Sequence, residues 1–468
     1  MNAVLLGVVV YVVIQFAVGL LVSRHIADEK DYLLAGRRLG LGLATFTVFA
    51  TWFGAETVVG SAGNIYSTGL TGDTAEPFAY ALCLVLLGLF FAARLWRNNY
   101  TTFGDFFEQR YSSGVGRLFV FLVVPAGVLW AAAQVRAFGQ VVSVISDVDT
   151  NVAITIAAAV VVIYTAAGGL MATAVTDVIQ GLALLIGLLV LYFAVVGDIG
   201  GFQAGIDMID PQRLQFFSAP DMTTWQLIES WAIPICGATL AAEAIARILG
   251  ARSASTARNA AVLGGLLYFT VGLIPVFLGL IGPQLVPGLD DPEQIVPTLA
   301  RDYLSTFAYI VFTGALISAI LSTVDSALLA AGGLVSHNVI VSLRPQIDAR
   351  GKLLAARTTV VGLGVIAYVL ALQSGSVYEL IATAVSFGTA GVFICGVIGL
   401  FTAVGGRYAA YAALLTGAIV WFIGQYLAGW STPYIVSLAT ALLAYLLAAL
   451  FEQRAAPGHQ PTGSRARA

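Results

Sequence analysis

The sequence predicts an all-α integral membrane protein of about thirteen transmembrane helices, its core built as two inverted repeats of five. Three observations predict it. Of 468 residues, 59% are hydrophobic and only 10% charged, whereas ordinary soluble domains carry about 25% charged residues. Thirteen apolar segments have the length and character of helices that cross a bilayer, for which about 20 residues are needed. Two of those segments, five spans apart, are interrupted by glycine or proline, the sequence mark of paired discontinuous helices in transporters built from inverted repeats.

The segments lie near 3–23, 39–69, 76–96, 115–145, 151–167, 170–196, 223–250, 259–283, 304–337, 357–374, 376–403, 407–429 and 433–451. The first is not read as a secretory leader, because it lacks a basic n-region and a small-residue cleavage site and is followed by Arg24. The resulting organisation is a leading helix (1–27), a first repeat (28–200), a second repeat (201–403), two trailing helices (404–452) and a basic, disordered tail (453–468). Basic residues set the orientation. One face receives Arg24, Lys30, Arg37, Arg38, Arg94, Arg97, Arg110, Arg117, Arg247, Arg252, Arg258, Arg344, Arg350, Lys352, Arg357, Arg407, Arg454, Arg465 and Arg467; the other receives Arg213 and Arg301 among many acids. The first face is cytoplasmic, which puts the N-terminus outside and the C-terminus inside a cell (inner) membrane.

Composition also excludes functions. A net charge of −3 gives no reason to expect a nucleic-acid partner. Cys83, Cys236 and Cys395 are far apart and have no metal-ligand spacing. His25, His337 and His459 fall at span ends or in the tail, and no nucleophile–base or zinc motif stands at membrane depth. An enzyme is therefore not expected, nor an organic cofactor, nor an obligate protein partner beyond the lipid bilayer.

The interrupted spans read "ATWFGAETVVGSAG" (50–63) and "WAIPICGATLAAEA" (231–244), with Gly54 and Gly60 in one and Pro234 and Gly237 in the other. An odd number of spans per repeat inverts the second repeat relative to the first. The ninth span carries the oxygen-rich run "ISAILSTVDSALLAAGG" (317–333). Residues i, i+3, i+4 and i+7 share a helix face, so Ala319, Ser322, Thr323 and Ser326 form one stripe, and Ser318, Ser322 and Asp325 a neighbouring one. Polar groups at this depth need partners, and an intramembrane acid marks a functional site by default. Two hydroxyls and a carbonyl supply half the oxygen shell of a small hard cation. Carbonyls released by an unwound partner helix can supply the rest.

"GRRLGLGLATFTVFATWFGAETVVG", "GGLMATAVTDVIQG" and "SAILSTVDSALLAA" resemble the sodium/solute symporter family over about residues 30–400. "ATW", "YALCLVLLGLFFA", "LWAAA" and "VISDVDTNVAITIAAAVVVIYTAAGGL" look most like its high-affinity choline transporter branch. The resemblance implies a LeuT-like core. It implies a main sodium site of the Ala50, Phe53 and Ala319 carbonyls with the Ser322 and Thr323 hydroxyls. It also implies, as in some relatives, a second cation site at Asp177 with Ser322, Ser326 and Asp325, hence one or two sodium ions.

In the choline branch aromatic residues cage a quaternary ammonium, and Trp52, Tyr80 and Trp130 match cage positions. The chain departs from the branch at the second break, where "GATLAAEA" places Thr239, Leu240 and Ala241 around an expected tryptophan. Glu56, beside Thr57 just past the first break, and Arg136 are the charged candidates near a solute. They pull the inferred solute charge in opposite directions, and the role of a third buried charge, Glu243, stays open. The expected function is sodium-coupled secondary active symport of a small organic solute by alternating access. A proton-coupled carrier of the same fold is the alternative, with a membrane sensor behind it.

Overall fold

The computed structural model describes residues 3–24, 26–145, 148–216, 222–373 and 377–455. His25, His459, Arg465, Arg467 and the tail after residue 455 lie outside the described residues. The long helices are α1 (Ala3–Ser23), α2 (Leu41–Trp52), α3 (Ser61–Thr68), α4 (Phe78–Leu86), α5 (Ser113–Ile145), α6 (Thr150–Asp198), α7 (Thr224–Ala232), α8 (Ala242–Leu249), α9 (Ala254–Leu285), α10 (Thr306–Val335), α11 (Ala349–Gln373), α12 (Val377–Ser386), α13 (Thr389–Phe401), α14 (Arg407–Phe422) and α15 (Pro433–Ala455). A two-residue parallel pairing, Leu70–Thr71 with Leu214–Gln215, ties two loops together.

Among the described residues ten helices are long and apolar enough to cross a membrane, or eleven when the bent pair Leu41–Trp52 and Glu56–Thr68 counts as one span. That is fewer than the thirteen segments read from the sequence, and two elements account for the difference. The segments 151–167 and 170–196 are two helices that meet at a kink inside the 49-residue stretch α6, which is counted once among the ten. The helix turns at Gly169, where φ is +56°. A Cβ there would sit 2.7 Å from the Tyr32 ring and carbonyl oxygen, so both the backbone and the packing require glycine. Segment 3–23 is α1, 21 residues without a charge, and stands in addition to the ten.

The centre of the molecule is α10. Every residue from Phe312 to Leu334 is buried, because the helix packs against α5, α6, α1 and α11 around its circumference. A helix buried all round needs no amphipathic face, so its serines, threonine and aspartate are enclosed by protein.

Elsewhere, charged side chains finish helix ends. Glu229 accepts from the N–H groups of Tyr434 and Ile435 at 2.7 and 2.8 Å, stopping the N-terminus of α15. Arg213 donates to the Ile65 and Tyr66 carbonyls at 2.6 and 2.7 Å at the C-terminus of α3. At the opposite end of the bundle, His337 sits between Glu29 (3.0 Å) and Asp105 (3.3 Å). Asn338 donates to the same Asp105 carboxylate at 2.7 Å. These contacts fasten the segment before α2 and the Phe103–Arg110 helix to the end of α10.

Arg247, counted among the basic residues of the cytoplasmic face, is turned into the protein. Arg247 is fully buried on α8 and donates through Nη2 to the Ser326 hydroxyl of α10. It lies two residues from the end of its span, so counting charges near span ends places it in the cytoplasmic set.

Candidate functional site

The first break falls at Phe53–Gly54, where the chain bends by 57° between α2 and the Glu56–Thr68 segment. Gly54 turns its N–H to the Trp52 carbonyl at 2.9 Å. In a continuous helix that N–H would bond to the carbonyl four residues back, so the Ala50 carbonyl is left without that donor. Beyond the break the chain resumes with a wider turn over Glu56–Gly60. The second break lies at Thr239–Ala241, between the wider turn Ile233–Gly237 and α8. It comes a few residues after the Pro234 and Gly237 that signal it in the sequence, at a Thr-Leu-Ala stretch with no breaker of its own.

The first break abuts the oxygen stripe of α10. A Cβ on Gly54 would lie 2.9 Å from Thr323 Oγ1 and 3.6 Å from Gln134 Oε1. Thr323 donates to the Ala319 carbonyl at 3.2 Å, which brings two of the predicted ion oxygens together. Ser322 donates to Asp177 Oδ1 at 2.6 Å, and Thr47 to Asp177 Oδ2 at 2.5 Å. A hydroxyl has one proton and two lone pairs. With their protons committed to Ala319 and Asp177, both hydroxyls keep acceptor capacity for a cation. Neutral carbonyl and hydroxyl oxygens suit a hard monovalent ion, and no cluster of three or more histidine, cysteine or acidic side chains able to hold a metal exists among the described residues. Ala50, Ala319, Ser322 and Thr323 thus fit a sodium ion in kind, and Phe53 caps α2 at the break itself.

The second carboxylate, Asp325, accepts from Tyr164, and the single Ser326 hydroxyl proton is shared between the Ser322 carbonyl (2.7 Å) and Asp325 (3.2 Å). Asp177, Asp325 and Ser326 are all 0% exposed. Arg247 joins this cluster through Ser326, while its Nε and Nη1 have no hydrogen-bond partner among the described residues. Two carboxylates thus share one guanidinium in a place where unpaired charge is costly. Sequence reasoning names Asp177, Asp325 and Ser326 and misses Arg247, Thr47, Tyr164 and Gln134. The signal for Arg247 is its position four residues after Glu243 on one short helix.

Between the breaks is a cavity of about 70 Å³ lined by Trp52, Tyr80, Trp130, Leu240, Ala241, Glu243 and Thr389 among others. Trp52 and Tyr80 meet edge to face, ring centroids 6.0 Å apart. A crevice lined by Thr101–Phe103, Ala246 and Gly333 shares Ala242, Ala330 and Leu334 with this cavity. On the opposite side a vestibule of about 300 Å³ is lined by Glu56, Gln140, Asp291, Glu293 and Gln294, and shares no lining residue with the cavity.

The remaining solute candidates separate. Tyr80 donates to Glu56 at 3.4 Å across the layer between vestibule and cavity. Thr57 is buried against the Tyr268 hydroxyl at 2.6 Å, and Thr239 donates back to the Ile235 carbonyl at 2.5 Å; neither lines the cavity. Arg136 lines neither space and donates to the Ala371 carbonyl at 3.1 Å.

Residues 32–417 match the sodium:solute symporter family. The high-affinity choline transporter 1 of Caenorhabditis elegans is 28% identical over 388 residues, 76% of this chain but only 64% of that protein's length. The sodium/pantothenate symporter of Escherichia coli is 26% identical over 467 residues, 95% of each chain. A solved Na+-coupled sialic acid symporter in a substrate-bound, outward-open state superposes with a TM-score of 0.84 at 16% identity, covering 96% of this chain and 98% of that one. At that identity the likeness concerns the fold, which is the LeuT-like one.

Proposed function

The chain belongs to the sodium:solute symporter family, a family of transporters and not of enzymes, and from that premise we propose that it is a sodium-coupled symporter. It imports a small organic solute, held between the two breaks, by alternating access. The observation that carries this reading is the first break itself. It releases the Ala50 carbonyl and sets Gly54 against Thr323, so the α10 stripe and the unwound backbone face one another. Ala50, Phe53, Ala319, Ser322 and Thr323 form the main sodium site. Asp177, Asp325 and Ser326, two carboxylates beside one guanidinium, favour a second coupled cation.

The orientation proposed is N-terminus outside and C-terminus cytoplasmic, with repeats at 28–200 and 201–403 around the two breaks. The driving force suffices. One charge moving down 100 mV supplies about 2.3 kcal/mol, and a tenfold sodium gradient about 1.4 kcal/mol. Together they support on the order of several-hundred-fold accumulation of a neutral solute per ion.

The test is solute uptake into proteoliposomes under an inward sodium gradient or an inward proton gradient, with the Hill coefficient for sodium. Sodium-driven uptake is expected, with Asp177→Ala lowering a coefficient above one toward one. Uptake driven by protons without sodium overturns sodium coupling. A wild-type coefficient of one overturns the second cation.

A further inference from the structure

The carboxylates around the cavity form no ion pair among the described residues, and the one guanidinium whose charge reaches Glu243, that of Arg247, is bonded elsewhere. Glu243 lines the cavity between the two breaks. Glu56 lines the vestibule and accepts from Tyr80, whose ring lines the cavity. Glu76 accepts from Tyr268, which also contacts Thr57 beside Glu56, and one oxygen of Glu76 has no partner among the described residues. None of the three is in an ion pair among the described residues. Arg247, a turn along α8 from Glu243, sends its guanidinium to Ser326. Arg136 lines neither the cavity nor the vestibule. Asp291 and Glu293 add two further acids to the vestibule wall, where no lysine or arginine appears. From the vestibule to the cavity, a solute meets carboxylates, amides, aromatic faces and no base.

Glu243 has a further property. It stands in the first turn of α8, where unpaired N–H groups and the positive end of the helix favour a negative charge. Its carboxylate faces the Trp52 indole. A carboxylate has about four acceptor sites, so the Trp52 indole and its own backbone N–H leave about half of them unused. Aromatic faces attract any organic cation, but only a cation bearing N–H can also satisfy a buried carboxylate. A quaternary ammonium presents methyl groups to it and leaves its acceptor sites unfilled, which is costly away from water.

Resting on the proposed placement of the solute between the breaks, we propose that the cavity binds a protonated amine carrying at least one N–H. Glu243 accepts that N–H, and Trp52, Tyr80 and Trp130 cover the rest of the ammonium group.

The test is thermal stabilisation of the purified full chain in sodium chloride by five probes: ethanolamine, N,N-dimethylethanolamine, choline, the uncharged 3,3-dimethyl-1-butanol and propionate. A hydrogen bond to a charged group discriminates by roughly tenfold or more. The two N–H amines are expected to bind at least about tenfold more tightly than choline, and the alcohol and propionate not measurably. Glu243→Gln is expected to erase the preference for N–H amines while retaining stabilisation by sodium alone, which certifies that the variant is folded. Choline binding as tightly as dimethylethanolamine, binding of propionate in preference to the amines, or a ranking unmoved in folded Glu243→Gln each overturns the proposal. If the variant does not fold, the wild-type ranking decides alone, and a wild type that none of the amines stabilises counts against it. Failure of sodium coupling is read separately, as the absence of any sodium-induced stabilisation.

Discussion

The two breaks use one device for different ends. At Phe53–Gly54 the chain turns hard against α10, with no room for even a methyl group between Gly54 and Thr323. What it offers is backbone carbonyl oxygen beside hydroxyls, all neutral and closely packed. At Thr239–Ala241 the chain opens onto a cavity, and the helix that follows presents a carboxylate in its first turn. The first arrangement suits a small bare ion that wants several oxygens at fixed distances. The second suits a larger solute recognised by one charge and several faces. A broken helix fixes only that backbone groups become available; the neighbouring elements decide what they are available for.

The largest expected effect breaks that comparison at its tightest point. Gly54→Val places two methyls against Thr323 and is expected to abolish both sodium-induced stabilisation and sodium-driven uptake. Gly60→Ala is the control: nothing lies within 4 Å of a Cβ there, so the sodium response is expected to survive. A sodium response unchanged by Gly54→Val would show that the first break is not the ion site.

Next in size are the hydroxyls. Thr323→Ala removes one neutral ligand, and Ser322→Ala removes one together with the hydrogen bond it gives Asp177. An interaction with a charged partner is worth about 1.5–3 kcal/mol, so sodium affinity, measured by titrating thermal stabilisation, should fall roughly tenfold to a hundredfold. Solute affinity at saturating sodium should change far less. Equal loss of both would mean that the two regions are one site.

Trp130→Ala sharpens the comparison from the other side. It removes a cavity wall and should weaken binding of a cationic solute by about 1–2 kcal/mol if the cation is desolvated against the ring. Sodium affinity without solute should stay where it was. The smallest effect is expected from Arg136→Gln, which lies outside both spaces: solute and sodium affinities should each change by less than about threefold, as read from the same titrations. A large loss of solute binding there would move the solute toward α11 and favour a carboxylate.

Much of this is legible in the sequence because helical geometry is short-range. The spacing of Ala319, Ser322 and Thr323 alone puts three oxygens on one helix face, and the fold brings the hydroxyls of Thr323 and Ser322 to the Gly54 break and to Asp177. The existence of the first break is written in Gly54. The exact place of the second is not, because Thr239–Ala241 contains no glycine or proline to mark it. Arg247 escapes for a related reason. Its distance from the span end reads as a place on the cytoplasmic face, and only the approach of α10 reveals a buried partner. Arg136 and Glu56 look equivalent in the sequence, since both are charges at similar depth. Which one faces a cavity depends on side-chain direction among helices far apart in the chain.

Arg247 also bears on how the protein is made. It leaves the ribosome 79 residues before Ser326, its hydrogen-bond partner, so α8 enters the bilayer while α10 does not yet exist. An arginine at the middle of an isolated helix costs about 2.5–3.5 kcal/mol to insert, but one near a helix end can extend its head to the interface. Arg247, two residues from the end of the Thr224–Leu249 span, is placed to wait there. Its withdrawal into the protein is then a late event, triggered by the arrival of α10. A nascent chain halted before Thr306 would display this arginine at the lipid surface, and a completed one would not. The residue's exposure is a readout of whether synthesis and assembly have finished.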